Sequence, residues 1–426
     1  MRVVAMAAIT VGGLLLAGCS DTKSGRGSGP TGSGSGNASS PPSSGGSSSS
    51  SGKLSQTFDP PLVFDKTPVS ELPSKVLSTS TDGLNEYRRS TVEGTVVYTV
   101  TDDSLAAIDV ETGQEKWNAQ APGVDTTYSA SAAPAVVDGR VYAAFESTIP
   151  GKGTTPEQPA ITVLAVDAES GQTVLTIQVP TPDAIPAGAL SSKGPTKVFG
   201  VADNLIAVGR GNGTFVVNAD TKRLAWQRKD FITREVMDDV VIGENTKPAN
   251  DNGEDEVLGL HLADGRAAWT APDRDAGITV QPAGPHLVVV NTSKSVLFLS
   301  TVDGKVRMQL PQTAASTLLA GTWCGYDDRS MMVCTGPRRM VGIDPNDLAR
   351  GPKWQIEEGS GREIPEVSAV FHGAVYGTTS NGPVVLDAVT GADKPDPPQL
   401  VPELVNEHVG IGKSEDGTIG AFAPVK

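Results

Sequence analysis

The chain has 426 residues, with 49 Asp and Glu against 34 Lys and Arg, so its formal net charge at pH 7 is −15. An acidic protein of this kind repels nucleic acid and anionic lipid surfaces, which excludes a nucleic-acid-binding role. Aromatic residues make up only 5% of the chain, which argues against a carbohydrate-binding channel lined by stacked rings.

The first 18 residues have the organisation of an export signal. Arg2 precedes an apolar run, Val3 to Leu15, that is too short to span a bilayer as a mature helix. Leu-Ala-Gly-Cys follows directly at residues 16–19. This sequence resembles the lipobox of bacterial lipoproteins, and the resemblance implies that Cys19 becomes the first mature residue and carries lipid. An ordinary secretory signal with a chance Cys is the alternative.

The segment after Cys19 has the composition of a tether. Ser20 to Gly52 consists almost entirely of Ser, Gly, Pro and Thr, which cannot bury a core. We therefore divide the chain into a signal peptide (1–18), a disordered tether (19–52) and a folded domain (53–426). This organisation predicts a protein anchored to the cell membrane through lipid on Cys19, at the extracytoplasmic face.

One turn recurs at least seven times in the folded domain. Its first copy, residues 107–117, reads Ala-Ile-Asp-Val-Glu-Thr-Gly-Gln-Glu-Lys-Trp. Asp bonds its own backbone two residues on, and Gly accepts a positive φ, so the pair reverses one strand onto the next. A large residue follows four positions after the Gly or its substitute, as in Gly113 with Trp117, Gly171 with Leu175, Lys222 with Trp226, Gly265 with Trp269 and Gly304 with Met308.

Strand and turn spacing predict an all-β chain. Short β-branched strands alternate with turns about every ten residues, and no helical period is present. Residues 85–426 number 342, or about 43 per unit for eight units, the size of a four-stranded antiparallel blade. We predict an eight-bladed β-propeller, with seven blades as the alternative if the hairpin at Asp416-Gly417 does not join the ring. Leu54 to Phe64 is expected to supply the outer strand of the last blade.

Large rings recur at the position after the turn: Trp117, Trp226, Trp269 and Trp354. We predict that these residues dock each blade onto its neighbour, because a flat ring at one repeated place packs well and its N–H can reach a carbonyl. Leu175 and Met308 at the same place agree with a packing role. Stacking on a quinone or a sugar is the alternative, and it requires a Trp that faces the central channel.

The pattern Ala-x-Asp-x-x-Thr-Gly-x-x-x-Trp of residues 107–117 resembles the tryptophan-docking repeat of PQQ-like β-propellers. The resemblance covers essentially everything after residue 85. That family includes quinoprotein dehydrogenases and also cofactor-free lipoproteins that act as scaffolds, such as the propeller subunit of the outer-membrane barrel assembly machinery. The repeat therefore implies the fold without choosing between enzyme and scaffold.

Two further cysteines flank a turn centred on residue 329. If Cys324 and Cys334 lie on paired antiparallel strands they face each other, and we predict a disulfide. Two reduced buried cysteines and a redox pair are the alternatives. The two are not adjacent in sequence, so they do not match the vicinal disulfide that lies over the cofactor in many quinoprotein dehydrogenases.

Signals of enzymatic chemistry are weak. The four His residues fall on different blades and none has a second His or a Cys at metal-ligand spacing, so we interpret them as edge or core residues: His261, His286, His372 and His408. Gly209 to Gly213 precedes a strand, which indicates a hairpin turn and not a phosphate loop.

Two loops are candidates for binding. The run Asn250 to Glu256 offers the oxygen ligands that calcium prefers, but its spacing does not match a calcium loop, so we predict a solvated hairpin loop with calcium as the alternative. The insertion Glu146 to Ala160 is predicted to protrude from the second blade, where a partner would bind.

These observations predict a non-enzymatic binding or assembly scaffold of the cell envelope, without catalytic residues, cofactor or metal, that acts on an envelope protein partner. A quinoprotein-type oxidoreductase that uses PQQ and calcium is the first alternative. A sensor or ligand-binding lipoprotein that works with a membrane enzyme is the second.

Overall fold

Short antiparallel strands make up nearly all of the regular structure in the computed structural model. It describes residues 54, 56–81, 86–124, 131–181, 195–246, 254–275, 278–293, 295–311 and 323–426. The signal peptide, Cys19 and the tether predicted from the sequence lie outside these residues. Residues 50–426 form one compact unit. Within the described ranges, no helix has the length and apolar character needed to cross a bilayer.

The N-terminal part of the described chain precedes the first blade. It contains a 3₁₀ helix, Ser74–Leu77, and three short strands, β1 (Ser70–Glu71), β2 (Thr79–Thr81) and β3 (Glu86–Arg88). β2 and β3 pair with each other as a separate hairpin.

Blades one to four each have four strands in simple up-and-down order, with the first strand innermost. Their strands are, blade by blade, β4 (Ser90–Glu93), β5 (Val96–Val100), β6 (Ser104–Asp109) and β7 (Glu115–Gln120); β8 (Ala135–Val137), β9 (Arg140–Ile149), β10 (Gln158–Asp167) and β11 (Thr173–Pro180); β12 (Lys197–Ala202), β13 (Leu205–Arg210), β14 (Gly213–Asn218) and β15 (Arg223–Lys229); β16 (Phe231–Met237), β17 (Val240–Asn245), β18 (Asp255–His261) and β19 (Ala267–Asp275).

Blades five and six repeat this order, blade seven has three strands, and blade eight has three strands of its own. These are β20 (Thr279–Gly284), β21 (Leu287–Asn291), β22 (Ser295–Ser300) and β23 (Val306–Pro311); β24 (Trp323–Tyr326), β25 (Met332–Gly336), β26 (Arg339–Ile343) and β27 (Trp354–Glu357); β28 (Glu366–Phe371), β29 (Ala374–Thr379) and β30 (Gly382–Asp387); β31 (Leu404–Val405), β32 (Gly410–Lys413) and β33 (Ile419–Phe422).

The core lies between the blades. Eight clusters of buried apolar side chains are present among the described residues, and each joins two consecutive blades. The last cluster packs Val409 and Ile411 of blade eight against Val97 and Ile108 of blade one. Because apolar burial is the main stabilising term, this eighth interface closes the ring. The predicted eight-bladed propeller is confirmed.

The ring is closed by the N-terminal strand. β1 pairs antiparallel with β33 and becomes the outer strand of blade eight. The sequence-based expectation that Leu54 to Phe64 forms this strand is wrong. Pro60 and Pro61 have no N–H to donate to a ladder, and among the described residues of this segment the only β-bridge joins Phe64 to Pro424.

The recurring turn has the predicted geometry. In the first copy, one carboxylate oxygen of Asp109 accepts the backbone N–H groups of Glu111 and Thr112 at 3.0 and 2.9 Å. Gly113 has a φ of 70°. The Asp carboxylate therefore holds the backbone of the turn by hydrogen bonds, and the Gly lets the chain reverse, since few other residues adopt that φ without strain.

The docking rings pack on the turn of the next blade. The Trp117 indole N–H donates to the Ala168 carbonyl at 3.1 Å, and a Cβ on Gly171 would lie 2.3 Å from the ring. The same donor and carbonyl pairing recurs in three further interfaces: Trp226 with Leu262, Trp269 with Thr301 and Trp354 with Ala388. Glycine in each turn leaves the ring room to lie flat against backbone.

At the closing interface a serine takes the place of the tryptophan. Ser70 donates its hydroxyl to the Val110 carbonyl at 2.6 Å, the position equivalent to Ala168 one blade later. A Cβ on Gly113 would lie 2.2 Å from the Glu71 carbonyl oxygen. The N-terminal strand therefore packs on the turn of blade one, as each tryptophan ring packs on the turn of the next blade.

We expect Ser70→Ala to lower the free energy of unfolding by about 1 kcal/mol, because it removes one side-chain hydrogen bond across the closing interface. Urea denaturation of the variant and the parent protein measures the difference. Ser360→Ala, on an exposed loop, is the control. A loss in the control equal to that in the Ser70 variant contradicts the assignment.

Candidate partner-binding site

The central channel is crossed by the chain's own hairpin, β2–β3. Tyr87 forms a hydrogen bond with Arg234 of blade four. Arg88 donates to the carbonyl oxygens of Ser368 in blade seven, at 3.2 Å, and of Glu403 next to the inner strand of blade eight. A hairpin that enters from blade one and bonds to blades four, seven and eight must span the axis of the ring.

The charged groups near the axis are largely paired. Arg234 lies at a bulge in β16, and bulges re-aim side chains. Its guanidinium holds both carboxylate oxygens of Glu244, at 2.9 and 3.1 Å. Burial lowers the pKa of Arg234, but the Glu244 carboxylate outweighs burial and holds that pKa above its usual value. Arg234 is therefore a positive charge whose field is neutralised locally.

Glu235 is a carboxyl near the axis whose pKa is raised. Burial raises the pKa of Glu235, and the positive charge of Lys197 offsets part of this rise. Burial also lowers the pKa of Arg88. The shift of Glu235 indicates that the charged form of this inner-strand carboxyl is poorly solvated.

Blade seven is incomplete because of its prolines. Its chain makes the usual turn and then pairs only Asp393 with Leu386 before Pro395, Pro397 and Pro398 follow. Proline donates no N–H and cannot continue a ladder. The fourth strand is therefore missing, and β30 becomes the outer strand of this blade.

An open groove lies between the incomplete blade seven and blade eight. Its volume is about 1440 Å³, and it runs from Arg88 near the axis to the β32–β33 turn. One wall is formed by β28, with Glu366, Val367 and Ser368, and the other by the N-terminal segment 66–71. We call this the blade seven–eight groove. A second cleft of about 480 Å³ lies where the rest of the missing strand would run, beside Pro383 and Pro395.

The family follows from a sequence match. A family model described as outer membrane protein assembly factor BamB matches residues 70–269 and 159–393, more than half of the chain. The chain belongs to this family. No curated protein matches it significantly.

Solved structures resemble this BamB-family propeller in fold. Hsv2p of Kluyveromyces lactis has 9% identity and a TM-score of 0.40, covering 78% of this chain and 94% of its own. A europium-containing methanol dehydrogenase has 13% identity and a TM-score of 0.33, covering 82% and 74%. AztD from Citrobacter koseri has 11% identity and a TM-score of 0.37, covering 64% and 72%. At these scores the likeness carries no argument about binding.

The cysteine pair of this BamB-family chain lies within blade six. Cys324 and Cys334 are directly opposite on β24 and β25, with a Cα–Cα distance of 4.1 Å, and a disulfide joins them. Both are buried in the apolar cluster between blades five and six. The pair therefore lies in the core and contributes no exposed thiol.

The four His residues lie at turns of four blades. His261 ends β18, His286 bonds Asp238 at 2.6 Å, and His408 lies 3.5 Å from Glu407. His372 bonds Asp59. Within the described ranges, no three His, Cys, Asp or Glu side chains are grouped so as to hold a metal ion.

One of the two loop predictions is confirmed and the other is only partly correct. Gly209 to Gly213 is a hairpin turn, as predicted, because Arg210 pairs with Gly213. The insertion Glu146 to Ala160 is only partly a loop: β9 and β10 continue to Ile149 and from Gln158, so a long hairpin replaces much of the expected loop. β-branched Thr148 and Ile149 at the end of β9 favour this pairing.

Only the C-terminal part of the acidic run Asn250 to Glu256 belongs to the residues that the structure describes. Residues 250–253 lie outside the described residues. Asp255 and Glu256 begin β18, and Glu256 pairs with Arg274 of β19. In the described part of the run, Glu254 lies just before the strand and the next two residues belong to it, and the Glu256 carboxylate already has a cation.

Sequence reasoning missed two groups of residues. The hairpin with Tyr87 and Arg88 gave no signal, because its role depends on blades hundreds of residues away. Trp323 was left aside, since it is absent from the repeated turn; the structure places it on the inner strand β24 with 39% of its surface exposed. The sequence signal that could have singled out Trp323 is that it does not follow a copy of the recurring turn.

A short N-terminal strap, residues 56–64, lies across the turns of blades eight, seven and six. Its Phe58 N–H donates to the Glu407 carbonyl at 2.9 Å. Its Asp59 carboxylate bonds both His372 and Arg329. The strap thereby links three blades, two of them through the Asp59 carboxylate.

We expect acid to loosen the strap. Burial raises the pKa of Asp59, but hydrogen bonds from His372 and Arg329 outweigh it and leave that pKa below its ordinary value of 3.8. A carboxyl with a lowered folded-state pKa stabilises the fold above its unfolded pKa, and this contribution is lost as pH falls through the folded value.

The measurement is the urea midpoint as pH falls below about 4. Asp59→Asn should be less stable than the parent at neutral pH and should lose part of the acid dependence. Asp264→Asn, in an exposed turn, should leave the acid dependence as it is. Equal slopes for the parent and the Asp59 variant contradict the expectation.

Proposed function

We propose that the protein is a lipid-anchored scaffold at the extracytoplasmic face of the cell membrane, where it binds a protein partner of the envelope. Its family is described as an outer membrane protein assembly factor, and a role in assembling other proteins carries over from that description as part of the proposal. In this proposal Cys19 carries the lipid, and the 33 residues from Ser20 to Gly52, rich in Ser and Gly, connect it to the folded domain.

The observation that carries the proposal is the hairpin across the channel. The hydrogen bonds of Tyr87 and Arg88 to blades four and seven carry the chain's own hairpin across the axis, and an open groove lies between blades seven and eight. Such a groove suits a macromolecular partner better than a small substrate, which needs an enclosing pocket.

A PQQ-dependent dehydrogenase does not fit these residues. The disulfide joins Cys324 to Cys334, ten positions apart on opposite strands, and it is buried between blades. The axis carries Arg88 bonded to two backbone carbonyls. We therefore derive no catalytic step through a quinone in this chain.

Capture of the partner tests the scaffold proposal. The full-length chain with a C-terminal tag is cross-linked in intact cells and purified from detergent-solubilised membranes, with an unrelated lipoprotein of equal abundance as the control. One envelope protein enriched in constant ratio to the tagged chain supports the proposal. Reduction of a redox dye with an alcohol or a sugar, after addition of PQQ and calcium, overturns it.

The anchor is tested separately. We expect the parent chain to sediment with membranes and to incorporate labelled fatty acid, and Cys19→Ser to lose the label and appear in the soluble fraction. A Ser39→Ala variant in the tether is the control. A Cys19 variant that keeps the label contradicts lipidation at this residue.

A further inference from the structure

The blade seven–eight groove borders the blade from which one strand is missing. In blades one to six, an outer fourth strand covers the third strand; in blade seven the prolines after Asp393 end that strand at once. The groove of about 1440 Å³ opens beside the vacated position. It is open to solvent and is lined by residues from β28 to the β32–β33 turn, which suits an extended chain segment and not a compact small molecule.

The exposed edge is unsuited to strand addition. Lys394 N–H donates to the Val385 carbonyl, so residue 385 faces outward on β30 and residue 383 does as well. Residue 383 is proline, which has no N–H. An added strand would lose its ladder at this point. Recognition in the groove must therefore come from side chains.

The groove is acidic. It is lined by five carboxylates, those of Glu71, Glu366, Glu403, Glu415 and Asp416, against three basic groups, those of Lys66, Arg88 and Lys413. Two of the three bases are already engaged, since Arg88 bonds backbone carbonyls and Lys413 lies 3.6 Å from Glu403.

Three of the carboxylates have no ion pair among the described residues: Glu71, Glu366 and Glu415. They lie on three different elements, namely the closing strand β1, the inner strand β28 and the β32–β33 turn. Negative charge is therefore spread along the groove from the ring's interior to its rim. A ligand with positive charges at intervals would match it.

We propose that the blade seven–eight groove binds an extended segment rich in Lys and Arg, belonging to the partner protein; this rests on the proposed scaffold function. The side chains of the segment reach the three carboxylates, and its backbone lies in the groove between β28 and the N-terminal segment 66–71. Electrostatic attraction of this kind makes binding strong at low salt and weak at high salt.

The test uses the full-length chain in detergent and a fluorescein-labelled peptide of twelve residues, alternating Lys and Gly. Fluorescence anisotropy should show binding of this peptide, and no binding of the matched peptide of alternating Glu and Gly. The triple variant Glu71→Gln, Glu366→Gln, Glu415→Gln should weaken binding at least tenfold at low ionic strength.

A matched triple variant tests whether peptide binding depends on the groove carboxylates or on the net charge of the protein. Glu111→Gln, Glu157→Gln and Glu169→Gln remove three carboxylates from exposed positions in other blades, and this variant should bind as the parent does. Equal weakening by both triple variants overturns the proposal, because the peptide then responds to overall charge alone.

A variant that fills the groove without changing charge gives a second readout. Thr378 is exposed on the groove wall, and Thr378→Trp should weaken peptide binding while the urea midpoint stays unchanged. Full binding by a folded Thr378 variant overturns the groove assignment. Failure of the Lys peptide to bind overturns this proposal alone, because partner capture from membranes tests the scaffold function independently.

Discussion

Replacing Trp269 by Ala is expected to lower the free energy of unfolding by about 3 to 5 kcal/mol, the range for deleting a large buried ring. The indole is only 7% exposed. It lies between Gly259 of its own blade and Gly304 of the next, where added Cβ atoms would come within 2.3 and 2.8 Å of the ring. Its N–H donates to the Thr301 carbonyl at 2.6 Å.

Two matched variants show whether the position or the residue type matters. Trp323→Ala removes an equally large ring that is 39% exposed, and we expect a loss well below that of the Trp269 variant. Trp269→Leu should lose less than Trp269→Ala, since Leu175 already occupies the equivalent place in blade two. Urea denaturation gives all three values, and equal losses at Trp269 and Trp323 contradict a docking role.

The repeat made the fold predictable. Each copy encodes its own turn through Asp and Gly, and each carries the side chain that meets the next blade. Counting such local units gave eight blades, because closure of a ring needs only the same interface repeated. The place of Trp117 against Gly171 follows from the same local pattern.

Features that break the repeat were not predictable. Ser70 was overlooked because it precedes the first copy, and because its hydroxyl makes the hydrogen bond that a Trp indole makes elsewhere. The groove borders the blade whose fourth strand is stopped by prolines, and its shape depends on how blade eight packs beside that blade. Tyr87 and Arg88 contact blades distant in sequence, so no short-range spacing reveals them.

A buried ion pair joins blades two and three. It could not be predicted from the sequence either, because its two residues are distant in the chain. Glu146 and Arg210 are 64 positions apart, on β9 and β13, and their charged atoms lie 3.1 Å from each other. Only 7% and 3% of their surfaces are exposed. Arg210 also donates to the Thr181 hydroxyl at 3.1 Å. Both charges are thus held away from water and depend on each other.

Removing one partner should be costly. We expect Arg210→Met to lower the free energy of unfolding by about 3 to 5 kcal/mol, because it leaves the Glu146 carboxylate buried without its cation. Adding Glu146→Leu to that variant should recover most of the loss, since apolar residues of similar volume can replace a buried pair at little net cost. Urea denaturation measures both differences.

The exposed pair Arg338–Glu358 supplies the control for the same chemical change. Its side chains are 63% and 61% exposed, so Arg338→Met should change stability by no more than about 0.5 kcal/mol. If the two Arg variants lose equal stability, burial of the pair is not the cause. If the double variant is no more stable than Arg210→Met, the buried Glu146 carboxylate is not what destabilises the single variant, and the contribution of Arg210 must come from its packing and its bond to Thr181.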